Sequence, residues 1–519
     1  MKNGNILWAD DEIELLKPHV LFLEGKGYSV VAVNDGMTAI EKMREFRFDI
    51  VFLDEQMPGI SGIDALVEIK KIDPVVPVIM ITKSEAEDIM EAAIGSQISD
   101  YLIKPVNPNQ ILLTLKKNLD SSHIITQETT TKYQTEFSQL GIEIGNAECW
   151  DDWVAVYKKI TYWDLQLEMS QDRAMDEILQ MQKQEANASY AKFIQKNYVS
   201  WFSSDDDEKP IMSPSLLQEK IFPTLKKNET STVLLVLDNF RYDHWLTLRS
   251  FFHEFFTIDA EDLYCSILPT TTQYARNSLF AGLMPLEISH NYPEIWKNDE
   301  DDEGKNMFEE QLLSAHLKRM GMDSKFFFKK ITAINPGKNL MDIVHQIKEH
   351  QFSVIVYNFV DTLSHTRTEM EMIKELAGDE SAYRSLIKSW FRHSLLYDVV
   401  KEIAHNKCKL FITTDHGSVR VQHPIKVVGD KTITTNLRYK NGRALKYNPK
   451  EVFEIRKPES AHLPTPHLTS SYIFSRQQDF FAYPNNFNHY ARYYKNSFQH
   501  GGISLEEMII PCIELTARE

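Results

Sequence analysis

Five short apolar runs in this chain end on an aspartate or an aspartate–histidine pair: NILWAD (5–10), DIVFLD (49–54), VLLVLD (233–238), VIVYNFVD (354–361) and KLFITTDH (409–416). A continuous apolar run of this length suits a strand buried on both faces, and such strands belong to parallel sheets covered by helices. The carboxyl ends of parallel strands gather in one crevice, so an acid ending one strand lies beside the acids ending its neighbours. The pattern restricts the chain to α/β architecture with carboxylate clusters at sheet edges. The long interval between positions 54 and 233 separates two such clusters into different domains.

Further runs fill in the first cluster's domain: SVVAV (29–33), VPVIMIT (76–82) and DYLIKP (100–105). With NILWAD and DIVFLD they make five βα units, one doubly wound α/β domain. From about residue 125 to 200 the strand signal disappears, and Trp153, Val156, Ile160, Trp163 and Leu167 step by 3, 4, 3 and 4 along one helix face. This stripe predicts a small helical bundle whose apolar side is core. SSDDDEKP (203–210) then reads as a linker. The 519 residues are expected to divide into domains at 1–122, 123–204 and 205–519.

A formal charge of -17 argues against a general DNA-coating protein, which needs many cations against phosphates. Four scattered cysteines without a CxxC pair indicate neither a disulfide framework nor a thiolate zinc site. No apolar run is long enough to be a signal peptide or to span a bilayer, so a cytoplasmic protein without membrane insertion is expected.

In the first cluster, Asp10, Asp11 and Asp54 would repel one another unless a hard cation sat among them, and an oxygen-only set suits Mg²⁺. Thr82 and Lys104 close the next two strands and offer a hydroxyl and an ammonium to a phosphoryl group at Asp54. LDEQMPGISG (53–62), the threonine ending the fourth strand and YLIKP (101–105) closely resemble the receiver domains of two-component response regulators, with a flavodoxin-like fold. The resemblance implies that Asp54 is the phosphoacceptor, that Asp10 and Asp11 hold magnesium with it, and that Thr82 and Lys104 contact the phosphoryl group while Tyr101 is an aromatic switch.

In the second cluster, Asp361 and His365 stand at i and i+4, which is metal-ligand spacing if FVDTLSH begins a helix. Asp415 and His416 are an adjacent pair at a strand end, Asp238 ends the first strand, and His500 lies in FQHGG. Three carboxylates and three imidazoles suit a two-zinc site. The order Asp, Thr, Asp-xxx-His, Asp-His, His resembles the alkaline phosphatase superfamily, in particular its PglZ branch. That resemblance assigns Asp238, Asp415 and His416 to one zinc ion and Asp361, His365 and His500 to the other. The nucleophile falls in LPTTTQYARNSLFAG (268–282), where a hydroxyl at a helix start is activated. The P-T-x-T pattern of related phosphodiesterases favours Thr272, Thr271 competes with it, and Thr270 reads as a capping residue. Asn239, Arg241 and Arg276 stand near these positions as candidate phosphate contacts, although Arg241 can equally pair with Asp243. Residues 426–457 carry nine basic side chains against three acids, interleaved with Tyr439, Tyr447 and Phe453, a pattern suited to following a nucleic-acid backbone and stacking bases.

A receiver, a helical bundle and a PglZ-type domain in this order resemble the PorX-type response regulators of Bacteroidetes. The resemblance implies phosphorylation by a histidine kinase, zinc-dependent phosphodiesterase activity on cyclic or linear oligonucleotides, a homodimer when phosphorylated, and a link to type IX secretion and gliding. The competing expectation is a signalling scaffold whose zinc domain docks a sigma factor or a secretion-motor protein without catalysis. A DNA-binding transcription factor is disfavoured, since no helix-turn-helix pattern follows the receiver.

Overall fold

Each of the five acid-ending runs forms a strand in the computed structural model, which describes residues 4–73, 76–83, 98–115, 118, 121–170, 173–203, 209–227, 230–301, 304–322, 325–331, 340–358, 360–363, 379–429, 434–467 and 469–518. The chain divides into two compact units, residues 1–134 with 169–172, and residues 135–168 with 173–519.

The first unit is built on β1 (Asn5–Ala9), β2 (Ser29–Val33), β3 (Ile50–Asp54), β4 (Val78–Thr82) and β5 (Asp100–Ile103). They form one parallel sheet in the order β2-β1-β3-β4-β5. Alternate residues face opposite sides of the sheet: Leu7, Val51 and Leu53 pack with Ala39 and Leu66 on one, Ile6, Trp8 and Phe52 with Leu23 and Ile111 on the other. This explains why the strands read as unbroken apolar runs. Two covering helices begin at side-chain caps: Asp35 accepts from the Thr38 N–H for Gly36–Glu45, and Ser61 from the Asp64 N–H for Gly62–Ile72.

The second unit contains β6 (Thr232–Leu237), β7 (Phe256–Cys265), β8 (Phe326–Ile331), β9 (Phe352–Tyr357) and β10 (Lys409–Thr413). The short strands β11 (Val419–Arg420), β12 (His423–Lys426), β13 (Tyr439–Gly442), β14 (Phe453–Ile455), β15 (Ser471–Phe474), β16 (Asp479–Ala482) and β17 (Phe498–Gln499) form three small sheets. The last strand, β18 (Ile509–Ala517), returns to the main sheet, whose order is β7-β18-β10-β6-β9-β8. β10, β6, β9 and β8 are mutually parallel, while β18 pairs antiparallel with β10 and β7. The chain is therefore an α/β protein with a parallel receiver-type sheet, a helical region and a larger mixed sheet.

The helical region packs on the larger sheet. The helix Trp150–Ser170 as far as Glu168 and the helix Arg173–Asn197 belong to the second unit, and Trp153, Val156, Tyr157, Ile160, Tyr190 and Ile194 share one hydrophobic core with Val233–Leu237 of β6. Among the described residues, no helix is long and apolar enough to cross a membrane.

Candidate functional site

In the first unit β1 and β3 are neighbours, so Asp10, one residue beyond β1, meets Asp54 at the end of β3. Both carboxylates are buried and share one ammonium: Lys104 Nζ lies 3.0 Å from Oδ2 of each. The remaining Asp10 oxygen accepts from the Glu12 backbone N–H at 2.9 Å. Asp11 is exposed, and Asp10, Asp11 and Glu12 each bring a carboxylate oxygen within 4.8 Å of the others. Burial, with the nearby charges of Asp10 and Asp11, raises the Asp54 pKa against the pull of Lys104. Burial works against the Lys104 ammonium, yet its hydrogen bonds to Asp54 and Asp10 leave its pKa raised. The Thr82 hydroxyl donates to Glu55, and Tyr101 is 40% exposed. Buried hard oxygen donors around one cation fit a divalent metal with oxygen preference. Glu12 and Glu55 escaped the sequence reading, although each directly follows a strand-end acid.

In the second unit the parallel neighbours β10, β6 and β9 deliver Asp415, Asp238 and Asp361 to one sheet edge. The strand of the VIVYNFVD run ends at Tyr357, and a helical turn carries Asp361, with the Thr362 N–H donating to the Asn358 carbonyl at 3.0 Å. His365 lies outside the described residues. Asp238, Asp415 and His416 offer ligand atoms within 4.8 Å of one another, all buried. His416 Nε2 is 3.7 Å from Asp238 Oδ1 and 3.6 Å from Asp415 Oδ2. His500 Nε2 is 3.6 Å from Asp361 Oδ1, and the two imidazoles stack at 4.1 Å and 13°. The other ring nitrogen of each is within hydrogen-bonding distance of a carbonyl: His416 Nδ1 3.1 Å from Gly417, His500 Nδ1 3.1 Å from Thr270. Assigned as Nδ1–H donors, both rings turn the Nε2 lone pair toward the carboxylates, an orientation suited to a metal ligand. Gly417 is required beside His416, because a Cβ there would lie 2.0 Å from the Glu506 carbonyl oxygen.

The three threonines have three different environments. Thr272 opens the helical stretch Thr272–Arg276, which continues as Asn277–Ala281, and its hydroxyl lies 3.2 Å from His416 Nε2 and 3.5 Å from Asp238 Oδ1. Thr271 is the N-cap residue, with a buried hydroxyl that has no hydrogen-bond partner. The Thr270 hydroxyl accepts from the Gly501 N–H at 2.9 Å and donates to the Gly502 carbonyl at 3.1 Å, which ties down the loop carrying His500.

Asn239, Arg241 and Arg276 are bound to protein carboxylates. Arg276 is fully buried, pairs with Asp238, and lies 3.1 Å from Asp415 and 3.3 Å from Glu309, with Asn358 also accepting from it. There it offsets the mutual repulsion of the Asp238 and Asp415 carboxylates. Burial pushes the Asp238 carboxyl up despite Arg276, whereas at Asp415 the charges of Arg276 and His416 outweigh burial and hold it low. Arg241 is enclosed by Asp243 and Glu380, so the local ion pair is what forms. Asn239, at a φ of 61°, donates to Asp361 at 3.4 Å. Asn358 and Glu309 had no signal in the sequence, because neither belongs to a motif.

The basic segment 426–457 is also corrected. Arg438 is buried against Glu507, Lys440 is buried with its Nζ donating to the Thr434 carbonyl at 2.7 Å, and Tyr439 and Phe453 are core residues. Arg438, Lys440 and Phe453 are therefore unavailable to a nucleic-acid backbone or its bases, and Lys431 lies outside the described residues. Lys426, Arg443, Lys446, Lys450, Arg456 and Lys457 remain exposed.

Comparison with known proteins divides the chain in the same order. The family model of the BREX system PglZ alkaline phosphatase-like domain matches residues 216–515, that of the PorX response regulator linker domain 123–202, and that of the response regulator receiver domain 6–116. The transcriptional regulatory protein ZraR of Escherichia coli O157:H7 is 36% identical over 139 residues, which are 27% of this chain and 32% of that regulator. The DNA-binding response regulator MtrA of Mycobacterium tuberculosis is 32% identical over 115 residues, 22% of this chain and 50% of that protein. The chain thus spans from about a third to half the length of these relatives. A solved receiver domain from Clostridium thermocellum is 29% identical, with 23% of this chain and 98% of that one covered and a TM-score of 0.22.

Proposed function

The chain is a PorX-type response regulator whose longest segment belongs to the PglZ alkaline phosphatase-like family, and on that premise we propose that phosphorylation of Asp54 controls hydrolysis of phosphodiesters in cyclic or linear oligonucleotides at Thr272. The observation that carries this reading is the Thr272 hydroxyl at the start of a helical stretch, 3.2 Å from His416 and 3.5 Å from Asp238.

Asp238, Asp415 and His416 would hold one zinc ion, and Asp361, His365 and His500 the other; Asp10, Asp11 and Asp54 would hold magnesium in the receiver. When bound, a zinc pair supplies Lewis-acid charge that offsets the negative charge developing on the attacking and leaving oxygens. The chain's own groups do the rest. The N–H groups of the first helical turn favour negative charge on the Thr272 oxygen. That oxygen attacks phosphorus in line as its hydroxyl proton is lost to solvent, the bond to the leaving oxygen breaks, and the departing alcohol takes up a proton from solvent in return. Water then cleaves the phosphothreonine and restores the hydroxyl. Arg276 holds the Asp238 and Asp415 carboxylates in place throughout.

A diester suits the site's charge. Thr272 and His500 line a cleft of about 460 Å³ whose described lining residues include no lysine or arginine. A diester, which carries only one negative charge, asks less of such a cation than a monoester dianion does. In the receiver, Lys104 between Asp10 and Asp54 is placed to contact a phosphoryl group on Asp54, with Thr82 beside it and Tyr101 as the exposed switch. A histidine kinase supplies the phosphoryl group, the phosphorylated protein dimerises, and the output serves type IX secretion and gliding.

The test is hydrolysis of a short oligonucleotide by the zinc-loaded protein beside Thr272→Val and Thr271→Val, which keep shape and lose the hydroxyl. Cleavage falls on the order of 10³-fold or more in Thr272→Val and persists in Thr271→Val. A wild type that cleaves neither an oligonucleotide nor an aryl phosphate would leave the docking scaffold for a sigma factor or secretion-motor protein as the surviving function.

A further inference from the structure

The cleft beside Thr272 is walled by rings. Tyr439, Tyr493 and Tyr494 line it together with Thr272 and His500. Tyr439 is fixed, donating its hydroxyl to Asp299 at 2.8 Å, and Tyr494 packs against Phe480. Tyr493 meets the Tyr494 ring edge-on at 4.9 Å and 84°, and it keeps 40% exposure where it borders the cleft.

Tyr493 and Tyr494 end the helix Phe487–Tyr494, and each is the last member of an i, i+4 ring pair. His489 and Tyr493 are near-parallel at 6.2 Å and 18°, and Tyr490 and Tyr494 at 6.2 Å and 15°. Tyr490 is also 38% exposed. The helix thus carries aromatic faces from the cleft along one further turn, about 5.4 Å. The nearest cations in sequence, Arg492 and Lys495, are exposed and do not line the cleft. A surface that offers rings, hydroxyls and amides beside a phosphoryl-transfer nucleophile, with no lysine or arginine among its described lining residues, grips planar π-faces better than backbone charge.

We propose that Tyr493, with Tyr490 one turn behind it, is a stacking platform for the nucleobases flanking the scissile phosphate, so that the enzyme holds short oligonucleotides chiefly by their bases. The proposal rests on the phosphodiesterase reading above and extends it to the groups that select the substrate. Stacking on a ring is indifferent to base identity, so little sequence preference follows.

The test compares a dinucleotide with the same phosphodiester backbone bearing tetrahydrofuran spacers in place of the nucleosides, using the full zinc-loaded chain. In Tyr493→Ala the kcat/KM ratio of dinucleotide to spacer falls about tenfold or more, and the change lies in KM. Tyr493→Phe and Tyr493→Trp, which keep a ring, restore the ratio. An unchanged ratio in Tyr493→Ala, or equal losses on both substrates, overturns the proposal. If the wild type cleaves no diester, the phosphodiesterase reading fails, and binding decides the platform separately. A dinucleotide containing 2-aminopurine is then added to Thr272→Val protein. Fluorescence quenching that disappears on adding Tyr493→Ala supports stacking, and the absence of quenching overturns it.

Discussion

Lys440 shows how far a side chain's depth can depart from its sequence context. It stands in a run of basic residues, yet it is buried, and burial pushes its ammonium down to about 7 against the pull of Asp299. Between about pH 7 and 10 the unfolded chain therefore holds a proton that the folded chain lacks. Stability from this group rises with pH across that window, by at most about 1.4 kcal/mol per pH unit, and is lost as pH falls toward 7. Lys440→Met removes the slope, which urea unfolding midpoints at pH 7.5 and 9.5 would measure. Equal slopes in the two proteins would show that Lys440 does not titrate there. The same blindness to depth explains Arg241, Arg276, Arg438 and Tyr439. A cation near a strand-end acid, or a tyrosine among lysines, looks identical in sequence whether it faces solvent or a buried carboxylate. The clustering of strand-end aspartates is legible because the carboxyl ends of parallel neighbours meet whatever surrounds them.

Individual elements were more legible than individual contacts. The apolar runs marked the strands because burial on both faces leaves no alternation, and the parallel neighbours β10, β6 and β9 turn three distant acids into one cluster. Two features were legible only in part. The helical turn after β9 was expected only if FVDTLSH begins a helix, because VIVYNFVD continues apolar past the strand end at Tyr357. The threonine register rested on a family pattern favouring Thr272 over Thr271, because three identical side chains differ only in where the helix begins. The register has a consequence for metal binding, since the Thr270 hydroxyl holds the Gly501 and Gly502 backbone while its carbonyl holds His500. Thr270→Val releases the loop that presents His500, and groups that orient a ligand typically change metal affinity by about 10–100-fold. Zinc titration of this variant is expected to show one site weakened about tenfold and the Asp238, Asp415 and His416 site unchanged. Two unaltered affinities would leave the threonine a structural tie alone.

At the scale of the whole molecule, the receiver fold was readable from sequence, while the helical segment's allegiance was not, because an apolar helix stripe does not state which surface covers it. The structure joins that segment to the large sheet. Trp153, Val156, Tyr157, Ile160, Tyr190, Ile194 and Tyr198 are all buried in the core of the second unit. Burial of each large apolar side chain contributes roughly 1.5–3 kcal/mol, so losing the surface these seven cover costs several kcal/mol, a large part of the net stability of a typical domain, about 5–15 kcal/mol. Charge binds the segment as well. Arg384 lies 3.0 Å from Asp164 and 3.2 Å from Asp243, and Lys183 lies 3.2 Å from Glu506. Removing the helices would leave Arg384 without Asp164 and Glu168 and Glu506 without Lys183, and breaking a buried pair costs about 3–5 kcal/mol. A chain of residues 205–519 is therefore expected to aggregate or to unfold at a much lower urea concentration than a chain beginning at the helix Ser121–Asn146. Urea unfolding followed by tryptophan fluorescence measures the difference, and matching midpoints would show that the output domain ends where the acidic linker begins.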